Sequence, residues 1–385
     1  MVAKALLPFD AHNHIQLGPP PPSSFSCDDG NAEIIPSDNS LVKSLGKYIQ
    51  YELQGKHLSG MALMANHPRD FGTLLDLERE LRSDKTAGSN SEESMTVLPC
   101  LGVHPWFLHE LDPVDDWALV PSSTSFLDGR EDQLPQVPSW IGNLESLLTE
   151  HPHLPVGEIG LDNFHFDPIT QELTTPMEKQ IEALKLQLQV ATNLHRPVSL
   201  HCVRAMGKLM DVLEDVAEEN FQLLSKEWNS EILDNEEICR SERNHILPPK
   251  LYFHAFGGKA ATATQLVKTL EKPRRIKIRN DSVRLQTKKK FVSVPPPKVY
   301  FGFAPPVNFQ SPKTASVIRA VGLDRLVLET DREDIRNIGP DMEAGISWIS
   351  EVLEVTKDEL VLKTNKNARE LYNCGIDDGT TDAIL

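Results

Sequence analysis

The chain has 385 residues, 39% of them hydrophobic, with 28 prolines and a formal net charge of −17, which fits one barrel-sized α/β unit with long polar excursions. So acidic a surface gains little from phosphates non-specifically, and any nucleic-acid role requires a local basic patch. No run approaches the roughly 18 apolar residues of a membrane helix, no secretory apolar region opens the chain, and the five scattered cysteines (Cys27, Cys100, Cys202, Cys239, Cys374) form no CxxC pair, so a soluble, reduced protein of the cytoplasm or nucleus is expected.

The first predicted strand, Ala5 to Ala11, runs into Asp10-Ala-His12-Asn-His14. Alternation along a strand puts both histidines on one face, within reach of a single ion at about 2.0–2.1 Å; taken alone, the pair is a weak signal and reads more readily as exposed loop histidines. Pro19 to Asn39, rich in proline, serine and aspartate, is expected to be a mobile insertion. Ser59 to Ala65 is the second strand and Ser83 to Ser94 a second polar insertion. Thr96 to Val103 is the third strand, followed by His104-Pro105, and Pro113 to Pro138 a third insertion.

Leu154 to Ile159 is the fourth strand and carries Val156-Gly-Glu158-Ile-Gly-Leu-Asp162. A carboxylate at a strand end can bridge two cations, though Glu158 alone could equally cap the next segment. Pro176 to Leu194 has Ile181, Leu184, Leu188 and Ala191 on one face with a proline in the first turn, which predicts a helix. Pro197 to Leu200 is the fifth strand, ending in His201 with Arg204 beyond. Glu214 to Asn244, strongly acidic, reads as a fourth insertion, a helical hairpin or a disordered stretch. Lys250 to His254 is the sixth strand, entering Gly257-Gly258. Lys272 to Lys298 is the one strongly basic stretch and reads as a fifth insertion. Lys298 to Phe303 and Arg325 to Thr330 are the last two strands, the latter ending in Glu329-Thr-Asp331, where Asp331 is the better ligand and a candidate general base toward water. Lys357 to Asn373 predicts a closing helix.

Strands alternating with helical patterns imply a parallel sheet with helical crossovers, and eight of them are the number that closes a (β/α)8 TIM-type barrel. Each candidate residue falls at the carboxyl end of a strand, the face on which barrel enzymes assemble their sites, which raises five individually weak signals together.

The ordered set DAHNH, GEIGLD, PVSLHCVRA, FHAFGG and LETD resembles the TatD family of metal-dependent hydrolases, relatives of the amidohydrolases. Leu101-Gly-Val-His104-Pro105, Gln180 and the closing NKNARELY at 365–372 extend the likeness over nearly the whole chain, insertions apart. The resemblance implies a single barrel over 1–385 with insertions at 19–39, 83–94, 113–138, 214–244 and 272–298. It also implies two divalent ions, zinc, manganese or magnesium. His12 and His14 would hold one and His201 and His254 the other, with Glu158 between them, Asp331 on the first near the attacking water, and His104 and Arg204 shaping the substrate pocket. Two segments depart from the family pattern: Asp331 is followed by Arg332-Glu333-Asp334 in place of a small residue and proline, and Phe301-Gly-Phe303 runs into Ala304-Pro305-Pro306.

The leading expectation is a DNA exonuclease, with the basic stretch as a source of phosphate contacts or, equally, a solvated loop or import signal. An amide or ester hydrolase acting on a small or aminoacyl substrate, which the acidic surface would suit, is the alternative. A barrel that binds a protein partner through its insertions is the third.

Overall fold

A computed structural model describes residues 6–14, 38–49, 53, 56–83, 96–122, 136–228, 245–278 and 290–372. Its centre is eight short parallel strands: β1 (Phe9–Asn13), β2 (Gly60–Met64), β3 (Thr96–Cys100), β4 (Val156–Asp162), β5 (Val198–Val203), β6 (Lys250–Phe253), β7 (Lys298–Gly302) and β8 (Leu326–Val327). They are apolar without alternation because both of their faces are covered, the signature of a parallel sheet wrapped by helices.

The strands pair in two runs, β1-β2-β3 and β4-β5-β6-β7-β8, and two seams join the runs. At one, Leu101 bridges Val156 in parallel, with Leu101 N donating to Pro155 O at 3.1 Å and Gly157 N to Leu101 O at 3.0 Å. At the other, Ala11 N donates to Leu328 O at 2.8 Å and Asp331 N to His12 O at 2.9 Å. Backbone hydrogen bonds therefore run around the whole ring, and the fold is a TIM-type barrel. The last strand is regular over only two residues, because the chain beyond Val327 turns to carry Glu329 and Asp331 toward the ring's carboxyl end.

Helices cover the outside, beginning with α1 (Asp38–Tyr48), α2 (Asp70–Ser83) and α3 (Ser139–Glu150). Among them, α4 (Met177–Asn193) begins after Pro176, and two of its buried glutamines, seven residues and so two turns apart, stand in for missing strand partners. Gln187 Oε1 accepts from Val103 N at 2.7 Å while its amide donates to Val103 O at 3.2 Å; Gln180 does the same for Asp162, at 2.7 and 2.9 Å. The closing helix (Lys357–Tyr372) works likewise: Asn365 bonds Phe9 N and Leu7 O at 2.8 Å each, and the Tyr372 hydroxyl donates to Ala11 O at 2.6 Å. Buried backbone polar groups are costly to leave unpaired, which gives NKNARELY its physical reason.

Several stretches read as insertions resolve differently. Glu214–Glu227 is the later, longer part of a 22-residue helix, α5 (Met206–Glu227); Leu209, Val212, Leu213, Val216, Ala217 and Leu224 form its buried stripe, and Asp211, Glu214, Asp215, Glu218 and Glu219 face outward. Within 113–138, Leu119–Pro121 pairs antiparallel with Gln136–Pro138, and Trp117 stands against Trp140 at 5.9 Å. In the basic stretch, Arg274–Ile278 pairs antiparallel with Lys290–Val294. That hairpin joins the end of α6 (Ala260–Leu270) to the start of β7, so its base lies at the amino-terminal end of the barrel, away from the carboxyl ends where the candidate ligands sit. Arg274 pairs with Glu218 at 3.0 Å and lies over the Phe221 ring. The described part of the basic stretch is thus placed as a brace on α5 at the far end. Residues 19–37, 84–94, 123–135, 229–244 and 279–289 of the expected insertions lie outside the described residues.

Candidate metal centre

The side chains of His12, His14, His104, Glu158, His201, His254 and Asp331 meet at the carboxyl ends of the strands, all but Asp331 no more than 11% exposed. Glu158 is the hub. Its Oε1 lies 2.5 Å from His254 Nε2, 2.7 Å from His201 Nδ1 and 3.5 Å from His104 Nε2; its Oε2 lies 2.7 Å from His14 Nε2 and 3.3 Å from His12 Nε2. Asp331 Oδ1 stands 3.8 and 3.7 Å from His12 and His14. Burial pushes the Glu158 carboxyl up, but His254, His104, His12 and His201 around it outweigh burial and hold it well below the usual carboxylate range.

Ligand atoms fall into three groups whose members lie within 4.8 Å of one another: His12, His14 and Asp331; His12, Glu158 and His254; and His104, Glu158 and His201. Several nitrogens face each other at 3.3 Å, His12 Nε2 to His14 Nε2 and His254 Nε2 to His201 Nδ1 among them. Two imidazoles each about 2.0–2.1 Å from one tetrahedral ion stand roughly 3.3–3.4 Å apart. The donors fit a divalent cation, and mixed imidazole and carboxylate sets suit zinc or manganese better than magnesium.

Which histidines can ligate follows from the far ring nitrogen, since a ligating nitrogen needs its lone pair free and the other then carries the proton. His12 Nδ1 lies 2.9 Å from Ser199 Oγ, and His201 Nε2 lies 3.0 Å from Asp162 Oδ2, each a partner able to accept that proton. The Trp106 indole donates to the same Asp162 oxygen at 2.8 Å. Although burial raises the Asp162 carboxyl, His201 and Trp106 bring it down to about 2. Burial lowers His201, but Glu158 and then Asp162 more than reverse this, to about 9.

His104 is wired the other way. Its Nδ1 accepts from Trp106 N at 3.2 Å, and burial, against the pull of Glu158, lowers its pKa to about 4. A neutral imidazole that accepts at Nδ1 carries its proton on Nε2, the atom facing the centre, so His104 presents a donor there while His12 presents a lone pair and His201 would do so once a cation displaced its Nδ1 proton.

Scaffold residues outside the expected set hold these groups in register. Asp10 accepts from Thr330 N at 3.0 Å and Thr330 Oγ1 at 2.6 Å, locking β1 to the chain after β8 between His12 and Asp331. Glu329 accepts from Tyr252 Oη and from Ala255 N, tying the ends of β6 and β8. Gly302 lies between them, where a Cβ would collide with the Tyr252 hydroxyl and the Glu329 carboxyl. In the altered loop, Arg332 O accepts from His14 N at 3.0 Å and its guanidinium pairs with Asp341, so an ion pair fixes what a proline commonly stiffens. Arg204 stands apart from the hub, over the Phe164 ring at 3.7 Å.

The family model for "TatD related DNase" matches residues 60–373. The chain belongs to that family. The match begins at β2, so the Asp10-Ala-His12-Asn-His14 segment joins the site through the geometry above. In Schizosaccharomyces pombe, Cut9-interacting protein scn1 is 21% identical over 314 residues, covering 71% of this chain and 83% of its own. The human deoxyribonuclease TATDN3 is 22% identical over 282 residues, covering 72% and 74%. Among solved structures, an uncharacterized amidohydrolase from Saccharomyces cerevisiae aligns at a TM-score of 0.54, 17% identity and 95% and 100% coverage. The Escherichia coli TatD homolog YJJV aligns at 0.51 and 18%, covering 86% and 93%. These likenesses show the fold. TatD proteins are metal-dependent hydrolases, and the buried histidine and glutamate cluster is a set able to bind metal.

Proposed function

We propose that this TatD-family hydrolase is a deoxyribonuclease that cleaves a phosphodiester at the mouth of the barrel and works inward from a strand end. The observation that carries this reading is the shared carboxylate: each oxygen of Glu158 faces a different set of imidazoles, and its buried Oε2 has no hydrogen-bond partner among the described residues, an arrangement suited to two cations side by side. His12, His14 and Asp331 would hold one, His201 and His254 the other, with Glu158 between them. When bound, the cations supply Lewis acidity, lowering the pKa of water and neutralising charge on a phosphodiester.

The chain's own residues supply the rest. Asp331 takes the proton of the attacking water, a role supported by its 18% side-chain exposure, the highest in the cluster. His104, neutral and protonated at Nε2, donates to a non-bridging phosphate oxygen and stabilises the charge gathering there. Asp162 and Ser199 keep His201 and His12 in the tautomers that leave the inward nitrogens free.

Hydrolysis of an end-labelled single strand, with chelator and after adding back zinc, manganese or magnesium, tests the reading. Expected are loss with chelator, recovery with a cation, and inactivity of His201→Ala. An ester panel is run alongside, because the net charge of −17 suits a substrate that is not a polyanion. Intact DNA with a cleaved ester would replace the deoxyribonuclease reading with an ester hydrolase.

A further inference from the structure

The loop between β4 and α4 leaves large apolar side chains in solvent beside the centre. Phe164 is 50% exposed and Phe166 44%, the two rings meeting edge to face at 6.1 Å and 83°. The Arg204 guanidinium lies over the Phe164 ring, 3.7 Å from its centroid, and among the described residues no carboxylate pairs with it. The loop is anchored rather than loose: Asp162 Oδ1 accepts from Phe164 N at 2.6 Å and from His165 N at 2.9 Å, while Trp106 stacks on the His165 ring at 4.5 Å and 16°. The carboxylate that orients His201 therefore also sets where Phe164 stands. Arg204 is held in the left-handed region, φ 51°, immediately after β5, a conformation costly for a side-chain-bearing residue and met mostly where the surroundings fix a functional position.

Resting on the deoxyribonuclease reading, we infer that Phe164, Phe166 and Arg204 form a stacking platform for a nucleobase of the strand whose phosphodiester enters the centre. Three features favour a base over an aliphatic or peptide ligand. The guanidinium laid on the ring makes a flat surface with a cation in it, which suits a planar, electron-rich ring system, and its edge remains free for a phosphate. The partly open ring surfaces lose their hydration cost only under a flat partner, and stacking accepts any base, as an enzyme working along a strand requires. A base in a duplex has both faces covered, so the platform selects single-stranded or frayed ends.

The test compares two strands of equal length and charge, oligothymidylate and an oligomer of abasic tetrahydrofuran nucleotides, by fluorescence anisotropy and by cleavage, using the full chain with its cation. Stacking on an aromatic side chain changes affinity by roughly 5- to 150-fold per base. Wild type is expected to bind oligothymidylate more tightly than the abasic strand by on the order of tenfold. Phe164→Ala is expected to erase that preference with the abasic affinity unchanged, and Phe164→Trp to restore it. Circular dichroism shows whether each variant folds, and Phe166→Ala gives a smaller loss should Phe164→Ala not fold. Equal wild-type affinity for both strands, or equal loss on both in Phe164→Ala, overturns the platform. Base-dependent binding without cleavage keeps it and removes the deoxyribonuclease reading; cleavage without base-dependent binding does the reverse.

Discussion

The two ends of the barrel handle charge in opposite ways. At the carboxyl end, four histidines approach one carboxylate within 3.3 Å, out of water. At the amino-terminal end, charges meet at the surface one to one, as Arg274 with Glu218 or Lys298 with Glu370. The second arrangement is ordinary surface pairing, which contributes at most about 1 kcal/mol and adapts when a partner leaves. The first is far more crowded than folding alone requires, and desolvating so many polar groups is tolerable only where something else binds them. A cavity of about 590 Å³ between α5, α6 and Pro295 to Pro297 sharpens the contrast, since its acids and bases line a cleft without gathering on a point.

That contrast can be broken most directly at Asp162. Asp162→Asn keeps the shape but removes the acceptor that orients His201, and cation affinity, read by competition with a chelating dye, is expected to fall about 10- to 100-fold. An unchanged affinity would separate the carboxylate from the centre.

His104→Phe sharpens it further. If His104 donates to substrate and does not ligate, metal content stays at the wild-type level while kcat on DNA falls on the order of a hundredfold. Loss of metal in this variant would move His104 into the ligand set.

Gln187→Ala probes the scaffold. It strands Val103 N and O in the interior beside His104, a cost of roughly 2–4 kcal/mol for two buried groups. The melting temperature should drop by several degrees, and a drop below one degree would mean that water or a backbone shift replaces the amide.

The smallest effect is expected near the opposite end, at His245. Burial first, then the charge of His195, holds its pKa below the ordinary 6.5. A base depressed in the folded state leaves stability intact above pH about 6.5 and subtracts from it as pH falls below, because the unfolded chain takes up the proton first. His245→Gln should flatten the decline in melting temperature between pH 7 and pH 5, and an identical slope would assign that decline to other groups.

Much of this was readable in the residues. All eight barrel strands overlap the short apolar runs that predict them, because strands covered on both faces carry little polar alternation to confuse, though β1 runs from Phe9 to Asn13 where Ala5 to Ala11 is expected and β8 is regular over Leu326–Val327 alone. The candidate ligands were visible because strand ends in a barrel share one face. Less legible was anything whose partner is distant in sequence. Gln187 looks like an ordinary helix-surface residue, and Gln180 stands out only through the family likeness, until the backbone of Val103 and Asp162 lies beside them. Asp162 appeared only as part of a motif, and nothing local announced that it would hold His201. The stretch from Glu214 reads as an insertion, a helical hairpin or a disordered run because its acidic face hides a regular stripe from Leu209 to Leu224; its first part is a helix, continuous with the one that starts at Met206. Tautomers were out of reach altogether, since His104 and His201 differ only in what sits behind the ring.

The central claim is that Glu158 and its imidazoles hold divalent cations. Elemental analysis of the purified full chain against Glu158→Gln, both after gel filtration in metal-buffered solvent, tests it most directly. Expected is stoichiometric divalent metal in the wild type, approaching two ions per chain, and its loss in a folded Glu158→Gln variant. A wild-type chain without metal that still hydrolyses its substrate in the presence of chelator would contradict it.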